Sequence, residues 1–168
     1  MKTYLIAAFA LAAAVPAQQA SVTPYGTGCA IQGQTPAIGN RGLPQLGTSF
    51  DITYTGPNFT FSSAQQIMRP TLILGFTQLA IPVPPIFPQQ PASCFVLTTA
   101  DVSMTMQPDQ NGRPVFDSSV TFRVPNDPAL SGARFNGQWL AVFEQCGIAG
   151  CDIAGVATSD AAQFVLGT

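Results

Sequence analysis

Short runs of strand-forming residues recur along the chain, and glycine, proline or asparagine separates each run from the next. In residues 50–54, 102–106 and 120–124, apolar and polar residues alternate, which is typical of a strand with one face on a core. Residues 72–74, 95–97, 139–143 and 164–166 are apolar throughout and favour central strands. Because no convincing helical period lies between these runs, the sequence predicts an all-β fold: an antiparallel two-sheet β-sandwich, with a β-barrel as the alternative.

The sequence predicts the local structure of three segments. Asn111-Gly112 lies between Met106 and Val115 and suits a tight turn, so a β-hairpin is predicted there. Residues 62–68 are expected to form no more than one helical turn, ended by Pro70. Five prolines occupy residues 81–91, which predicts a stiff loop or a sheet edge, because proline cannot donate to a β-ladder. A loop that crosses an open end of the sandwich is favoured there over an apolar contact surface.

Residues 1–17 have the pattern of a secretory signal peptide. Lys2 precedes an apolar run that ends at Val15, and the small residues Val15 and Ala17 occupy the positions that a signal peptidase reads. The run is shorter than the about 20 apolar residues of a membrane span. The sequence therefore predicts cleavage after Ala17 and a single mature domain, 18–168. We expect that domain to be secreted, extracellular or periplasmic, without a membrane span.

The four cysteines all lie in the predicted mature domain: Cys29, Cys94, Cys146 and Cys151. An even number in an oxidising compartment indicates two disulfides, for which three pairings exist. Cys146–Cys151 is favoured because Gly147 and Gly150 suit a tight loop, and Cys29–Cys94 then remains. Loop-closure entropy predicts about 4 kcal/mol for the long bridge and about 2 kcal/mol for the short one. A zinc site is disfavoured, since only one pair of cysteines is close in sequence.

Two residue types central to enzyme chemistry are missing from the mature chain. Histidine is absent, and Lys2, the only lysine, lies in the signal peptide. This excludes Ser-His-Asp and Cys-His catalysis, histidine-ligated metals, Ser-Lys dyads, Schiff-base chemistry and P-loop phosphate binding. Only 8% of residues are charged and no basic cluster exists, so nucleic acid and anionic lipid are poor partners. We expect no enzymatic activity and no bound cofactor.

Carboxylates are the remaining candidates for chemistry. A glycosidase needs two placed acids, and the candidates are Glu144, Asp51, Asp101, Asp117 and Asp152. Solubility and turn hydrogen bonds explain these residues equally well, and we prefer that explanation.

Calcium and sugar are the other ligands considered. Asp109-Gln110-Asn111-Gly112 resembles the start of a calcium loop, and Asp127 and Asp152 offer further oxygens, but the closing Glu of the twelve-residue pattern is missing. A hairpin turn accounts for the segment, so calcium is disfavoured. Trp139 and the three tyrosines, of which Tyr4 lies in the signal peptide, could stack against a sugar ring. Trp139 lies inside an apolar run, however, and this favours its burial.

Several short segments occur together: Tyr25-Gly26-Thr27-Gly28-Cys29 after the signal peptide, Cys94 at the start of a strand, residues 124–132, Gln138-Trp139, and the closing residues 159–167. Together they resemble an uncharacterised secreted domain family of planctomycete-type bacteria, over most of the mature chain. The resemblance implies a β-sandwich with a Cys29–Cys94 bridge and supplies no catalytic residues. Cys146 and Cys151 depart from its pattern and are interpreted as a disulfide that closes one local loop.

These observations lead to an expected function class. We expect a secreted, non-enzymatic domain for adhesion, assembly or cell-envelope interaction, with an envelope protein or polysaccharide as partner. Edge strands and the proline-rich segment are the expected contact surfaces. A carbohydrate-binding module, with or without calcium, is the alternative, and a carboxylate-dependent hydrolase is the third hypothesis.

Overall fold

The fold consists of β-strands and short connections. The computed structural model describes residues 17–31, 33–56, 66–83, 94–106, 117–147 and 150–168. The strands are β1 Ser21–Tyr25, β2 Ala37–Arg41, β3 Ser49–Thr55, β4 Gln66–Gly75, β5 Gln78–Pro82, β6 Phe95–Thr98, β7 Val102–Thr105, β8 Asp117–Arg123, β9 Arg134–Gly147 and β10 Gly150–Val165. The only helical element in these ranges is a 3₁₀ turn, Pro128–Leu130. The all-β prediction is confirmed.

The strands form three antiparallel sheets. The largest has five strands in the order β1-β10-β9-β4-β7, the second has three in the order β2-β3-β8, and β5 pairs with β6. None of these sheets closes on itself among the described strands, so they form a sandwich of open sheets rather than a closed barrel.

The main core lies between the five-stranded and three-stranded sheets. Phe50, Ile52 and Tyr54 are buried at alternate positions of β3, as the period-two pattern predicts. From the opposite sheet, the indole of Trp139 lies 5.3 Å from the Tyr54 ring, and its Nε1 donates to the Thr53 carbonyl at 3.0 Å. Large apolar side chains contribute about 1.5–3 kcal/mol each on full burial, so this face holds the two sheets together.

The longest hairpin, β9–β10, contains a bulge that explains a buried polar group. The register shifts between Thr158 and Ala161, so the ladder is interrupted opposite Trp139. The Trp139 N–H donates instead to the Ser159 hydroxyl at 2.9 Å. The Ser159 carbonyl accepts from Nε2 of Gln138 at 2.9 Å. Two side chains therefore satisfy the backbone groups that the bulge removes from the ladder.

The β5–β6 pair forms a third layer on the other face of the five-stranded sheet. Consecutive residues of a strand point to opposite faces, so Gln138 points away from the core that Trp139 enters. Its fully buried side chain accepts from the Leu97 N–H at 2.9 Å and donates to the Phe95 carbonyl at 3.1 Å. The Cys29–Cys94 disulfide joins the segment after β1 to the start of β6.

Both disulfides have the favoured pairing. Cys29–Cys94 spans 65 residues and Cys146–Cys151 spans 5 residues. The first is buried beside Thr158 of β10, whose carbonyl accepts from the Cys29 N–H at 2.8 Å. The second joins directly opposite residues of β9 and β10 near the tip of their hairpin.

Of the local predictions, one lies outside the described residues and one is wrong. The hairpin at Asn111-Gly112 falls on residues 107–116, which lie outside the described part of the chain. The described strands on either side, β7 and β8, belong to different sheets. Residues 66–68 belong to β4 rather than to a helical turn, and the strand continues through Pro70. The Pro70 carbonyl accepts from Met106 at the β7 edge, so the missing N–H of Pro70 faces that edge and not β9.

The proline-rich segment is described only at its start. Ile81 and Pro82 end β5, and Val83 donates to the Cys94 carbonyl at 2.8 Å. Residues 84–91 lie outside the described part of the chain.

Candidate functional site

The described candidate carboxylates hold separate parts of the fold. Asp51 accepts from the Thr121 hydroxyl at 2.6 Å, and Asp101 accepts from the Phe76 N–H at 3.0 Å. Glu144 pairs with Arg69 at 3.0 Å. Each of these acids therefore forms a hydrogen bond or an ion pair with a residue of a different strand or turn, and the acids hold neighbouring elements together.

The described clefts do not bring two of these acids together. A cleft of about 460 Å³ at the β9–β10 tip is lined by Asp152 but by no other described acid. A wider cleft of about 600 Å³ beside Asn126 and Thr48 is lined by no Asp or Glu among the described residues. Asp109 and the side chain of Asp117 lie outside the described part. The two-carboxylate geometry of a glycosidase is therefore not formed by the described acids in these clefts.

One cluster of side chains has the composition of a metal site. Carboxylate and sulfur atoms of Glu144, Cys146 and Cys151 lie within 4.8 Å of one another, the only such group of three ligands in the described ranges. Both sulfurs are bonded to each other and Glu144 is paired with Arg69, so these atoms are committed to other bonds. Of the calcium candidates, Asp127 caps the 3₁₀ turn by accepting from Ala129 at 2.9 Å. Asp109–Gly112 lies outside the described residues.

Two of the aromatic residues that could stack against a sugar are inside the protein. Trp139 and Tyr54 are both essentially fully buried in the main core. Burial raises the pKa of Tyr54 above its ordinary value because the charged form would lose its solvation. Tyr25 is half-buried, and its hydroxyl donates to the Leu97 carbonyl at 3.0 Å. The rings of Trp139 and Tyr54 therefore offer no open face to a sugar.

A different aromatic side chain is exposed. Phe76, at the end of β4, is 77% exposed, the highest value among the large apolar side chains of the described residues. Its backbone is fixed, because the Asp101 carboxylate accepts from the Phe76 N–H and from the Thr99 hydroxyl at 2.9 Å. Gly75 lets this turn close: a Cβ there would lie 2.1 Å from the Thr99 carbonyl oxygen. The exposed ring therefore stands on a rigid support.

An apolar groove lies beside this ring, and we call it the Phe76 groove. It has a volume of about 210 Å³, and its apolar lining consists of Leu74, Phe76, Val102, Phe122 and Phe135. Val102 is also exposed, at 52%. Phe122 and Phe135 connect the groove to the core, because both rings lie beside the Phe50 ring, at 5.7 and 6.5 Å. The groove is thus an open end of the sandwich interior.

The outer edge of β7 borders the groove. β7 pairs with β4 and with no second strand among the described residues. The Met106 N–H donates to the Pro70 carbonyl at 2.8 Å, so the backbone groups of Met106 point toward β4. Because backbone groups alternate in direction along a strand, those of Ser103 and Thr105 point away from β4. An edge of this kind can accept another extended chain.

No protein-family model, curated protein or solved structure matches this chain. In the part of the chain that the structure describes, no helix is both long and apolar enough to cross a membrane. The fold and the side-chain geometry therefore carry the functional argument.

Sequence reasoning found part of this site. Edge strands were expected contact surfaces, and the alternation at residues 102–106 identified β7. The Phe76 groove was missed, because it depends on four strands that meet at one end of the sandwich. The available signal is a lone phenylalanine directly after Gly75, in a turn where polar residues are usual.

Proposed function

We propose that this chain is a secreted, non-enzymatic domain of the cell envelope or extracellular space that works in adhesion or assembly. In this proposal the Phe76 groove and the adjoining edge of β7 bind an extended peptide segment of an envelope protein. The observation that carries the proposal is the contact, through Val102, between an apolar groove and the outer edge of β7, which has no second strand partner among the described residues. Strand addition uses both features, because backbone bonds supply affinity and a side-chain pocket supplies specificity.

The geometry gives each feature a role. The backbone groups of Ser103 and Thr105 would pair with the added strand, and one apolar side chain of that strand would enter the groove. Burying a Phe side chain contributes about 1.5–3 kcal/mol, which corresponds to roughly a 10- to 100-fold change in Kd. The rigid Phe76 turn reduces the entropy lost on binding.

Other properties of the chain support the proposal. Two disulfides suit an oxidising compartment. The lack of histidine and of lysine outside residues 1–17 leaves few groups for catalysis. The described acids stabilise turns and strand pairs, as shown above for Asp51 and Asp101. The proposal includes export with cleavage after Ala17, which N-terminal sequencing of the exported protein would test.

Retention on envelope fractions tests the proposed surface. The oxidised mature protein is incubated with envelope protein and, separately, with insoluble polysaccharides, and released sugar is assayed in the same tubes. Phe76→Ser should lower retention on envelope protein by at least about tenfold. Leu43→Ser is the matched control, because Leu43 is an exposed aliphatic residue, 40% exposed, that does not line the groove.

A second variant tests the strand edge separately. Ser103→Pro blocks pairing at the outer edge while leaving the bonds to β4, because the Ser103 N–H points away from β4. The variant should keep its thermal stability and lose retention. Full retention by both variants, or release of sugar by the wild type, would contradict the proposal. Retention on one polysaccharide that neither variant changes would instead favour the carbohydrate-binding alternative.

A further inference from the structure

The two disulfides differ sharply in their access to solvent. Cys29 and Cys94 are 2% and 1% exposed, within the layer that β6 covers. Cys151 is exposed and Cys146 is partly exposed, near the tip of the β9–β10 hairpin. The adjoining cleft of about 460 Å³ is lined in part by Cys146 and Gly147, so a small molecule or a peptide can approach the bond from that side.

The fold near the tip does not depend on the short bridge. The strands on either side of it are held by ladder pairs, such as Gly150 with Gly147 and Asp152 with Gln145. The bridge closes a loop of only 5 residues, so its entropic contribution is the smaller of the two. We therefore expect the three sheets to keep their strand pairing when Cys146–Cys151 opens.

We infer that Cys146–Cys151 is a thiol–disulfide exchange site that forms a mixed disulfide with an external thiol, while Cys29–Cys94 stays closed. The partner is an accessible cysteine thiol, carried by a peptide or by a small molecule. This inference goes beyond the proposed function and does not rest on the Phe76 groove. Exposed disulfides are the ones that thiolates reach, because attack on sulfur requires access along the S–S bond.

The exchange step is balanced without any further reagent. The external thiolate attacks Sγ of the exposed Cys151, a new S–S bond forms, and the Cys146–Cys151 bond breaks. Cys146 leaves as a thiolate and takes a proton from water. In the reverse step the Cys146 thiolate attacks Cys151 Sγ and expels the external thiolate. The strand register keeps the two sulfurs opposite each other, which favours this closure.

Glu144 slows this exchange by electrostatic repulsion. Its carboxylate lies within 4.8 Å of both sulfurs and repels the incoming and leaving thiolates. Arg69 pairs with that carboxylate at 3.0 Å and reduces the repulsion without removing it. Removing one unit charge at this separation in a water-exposed site corresponds to about a two- to fivefold faster exchange. We therefore expect Glu144→Gln to accelerate the reaction, and added salt to reduce the difference between the two proteins.

Mass spectrometry of the oxidised mature protein tests the inference. The protein is incubated with glutathione at about pH 8, where a thiol of ordinary pKa is partly ionised, and is then quenched with acid. Peptide mapping should place glutathione mainly on Cys151, with this bridge opening at least about 100-fold faster than Cys29–Cys94, which needs local unfolding. The Cys146→Ser/Cys151→Ser variant should remain folded and form no adduct.

Two outcomes would overturn the inference. One is an adduct on Cys29 or Cys94 at the same rate as on the hairpin tip. The other is no adduct on the hairpin tip until the protein unfolds, as followed by near-UV circular dichroism in the same samples. An exchange rate that Glu144→Gln does not change would refute the role of Glu144 alone.

Discussion

Replacing Gln138 by leucine tests how the third layer is attached to the five-stranded sheet. The substitution keeps much of the side-chain volume and removes every hydrogen bond that Gln138 makes to the backbone. The Leu97 N–H and the carbonyls of Phe95 and Ser159 then lose their partner. A buried polar group without a partner costs about 1–3 kcal/mol. The Phe95 bond is only partly buried and water can replace it, so we expect a total loss of about 3–5 kcal/mol.

The loss is measured by urea unfolding and by thermal melting. For a domain of this size, each 1 kcal/mol lowers Tm by about 2–4 °C, so a decrease of about 6–20 °C is expected. Hydrogen exchange at the Leu97 amide should accelerate more than exchange in the β3 core, because the layer opens locally. Gln163→Leu is the matched control, since Gln163 lies half-buried on the neighbouring strand β10, and its effect should stay within about 0.5 kcal/mol.

A small effect would refute this account of the third layer. If Gln138→Leu changed stability by less than about 1 kcal/mol and left the Leu97 amide protected, the layer would be held by packing and the Cys29–Cys94 bridge alone.

Three further predictions concern stability. Replacing Cys29 and Cys94 by alanine should lower the free energy of unfolding in urea by about 4 kcal/mol, and loss of the hairpin-tip disulfide should lower it by about 2 kcal/mol. The two values differ because the closed loops differ in length, and equal losses would contradict this entropic explanation. Burial raises the pKa of Tyr54 in the folded protein above its unfolded value of about 10. The full stabilisation from neutral Tyr54 is therefore present below about pH 10. As pH rises above that value, the free energy of unfolding falls by up to about 1.4 kcal/mol per pH unit. Tyr54→Phe should reduce this alkaline slope in urea titrations, and an unchanged slope would exclude Tyr54 as its source. The buried Ser118 hydroxyl has no hydrogen-bond partner among the described residues, so Ser118→Ala should stabilise by about 1 kcal/mol, and a loss in thermal melting would reveal a partner.

The sequence predicted the parts of the fold that depend on local periodicity. β3 alternates strictly between buried and half-buried or exposed residues, so its core face could be identified directly. The short disulfide followed from two glycines beside close cysteines. In both cases the residues that interact are near each other in sequence, and the pattern itself carries the information.

The errors come from interactions between distant segments. The residues of a turn at Asn111-Gly112 do not determine which sheet the following strand joins, and β7 and β8 belong to different sheets. Residues 95–97 were predicted as a central strand, yet β6 pairs only with β5 among the described strands. Their apolar character reflects contact with the face of the larger sheet. Gln138 is a single polar residue in an apolar run, so its role in joining two layers is visible only once β6 lies above it.

The sequence predicted that an edge strand would be a contact surface, but it did not predict which residues form the candidate site. An edge strand could be expected from the β-rich sequence, but the Phe76 groove forms where β4, β7, β8 and β9 meet. No single segment encodes it. Burial of Trp139 follows from the apolar run around it, and burial of Tyr54 follows from the alternation of residues 50–54. That burial removes both residues from any role at the surface.

The most direct test of the proposed contact surface is a hydrogen-exchange footprint of the oxidised mature protein, with and without the envelope-protein fraction that retains it. The amides of Ser103 and Thr105 point outward from β7, so we expect them to exchange with solvent in the free protein and strand addition to slow that exchange. The account predicts protection at these two amides and at Phe76, with no change at the β9–β10 tip. Protection confined to other surfaces, with exchange along β7 unchanged, would contradict the claim that this edge and the Phe76 groove form the binding site.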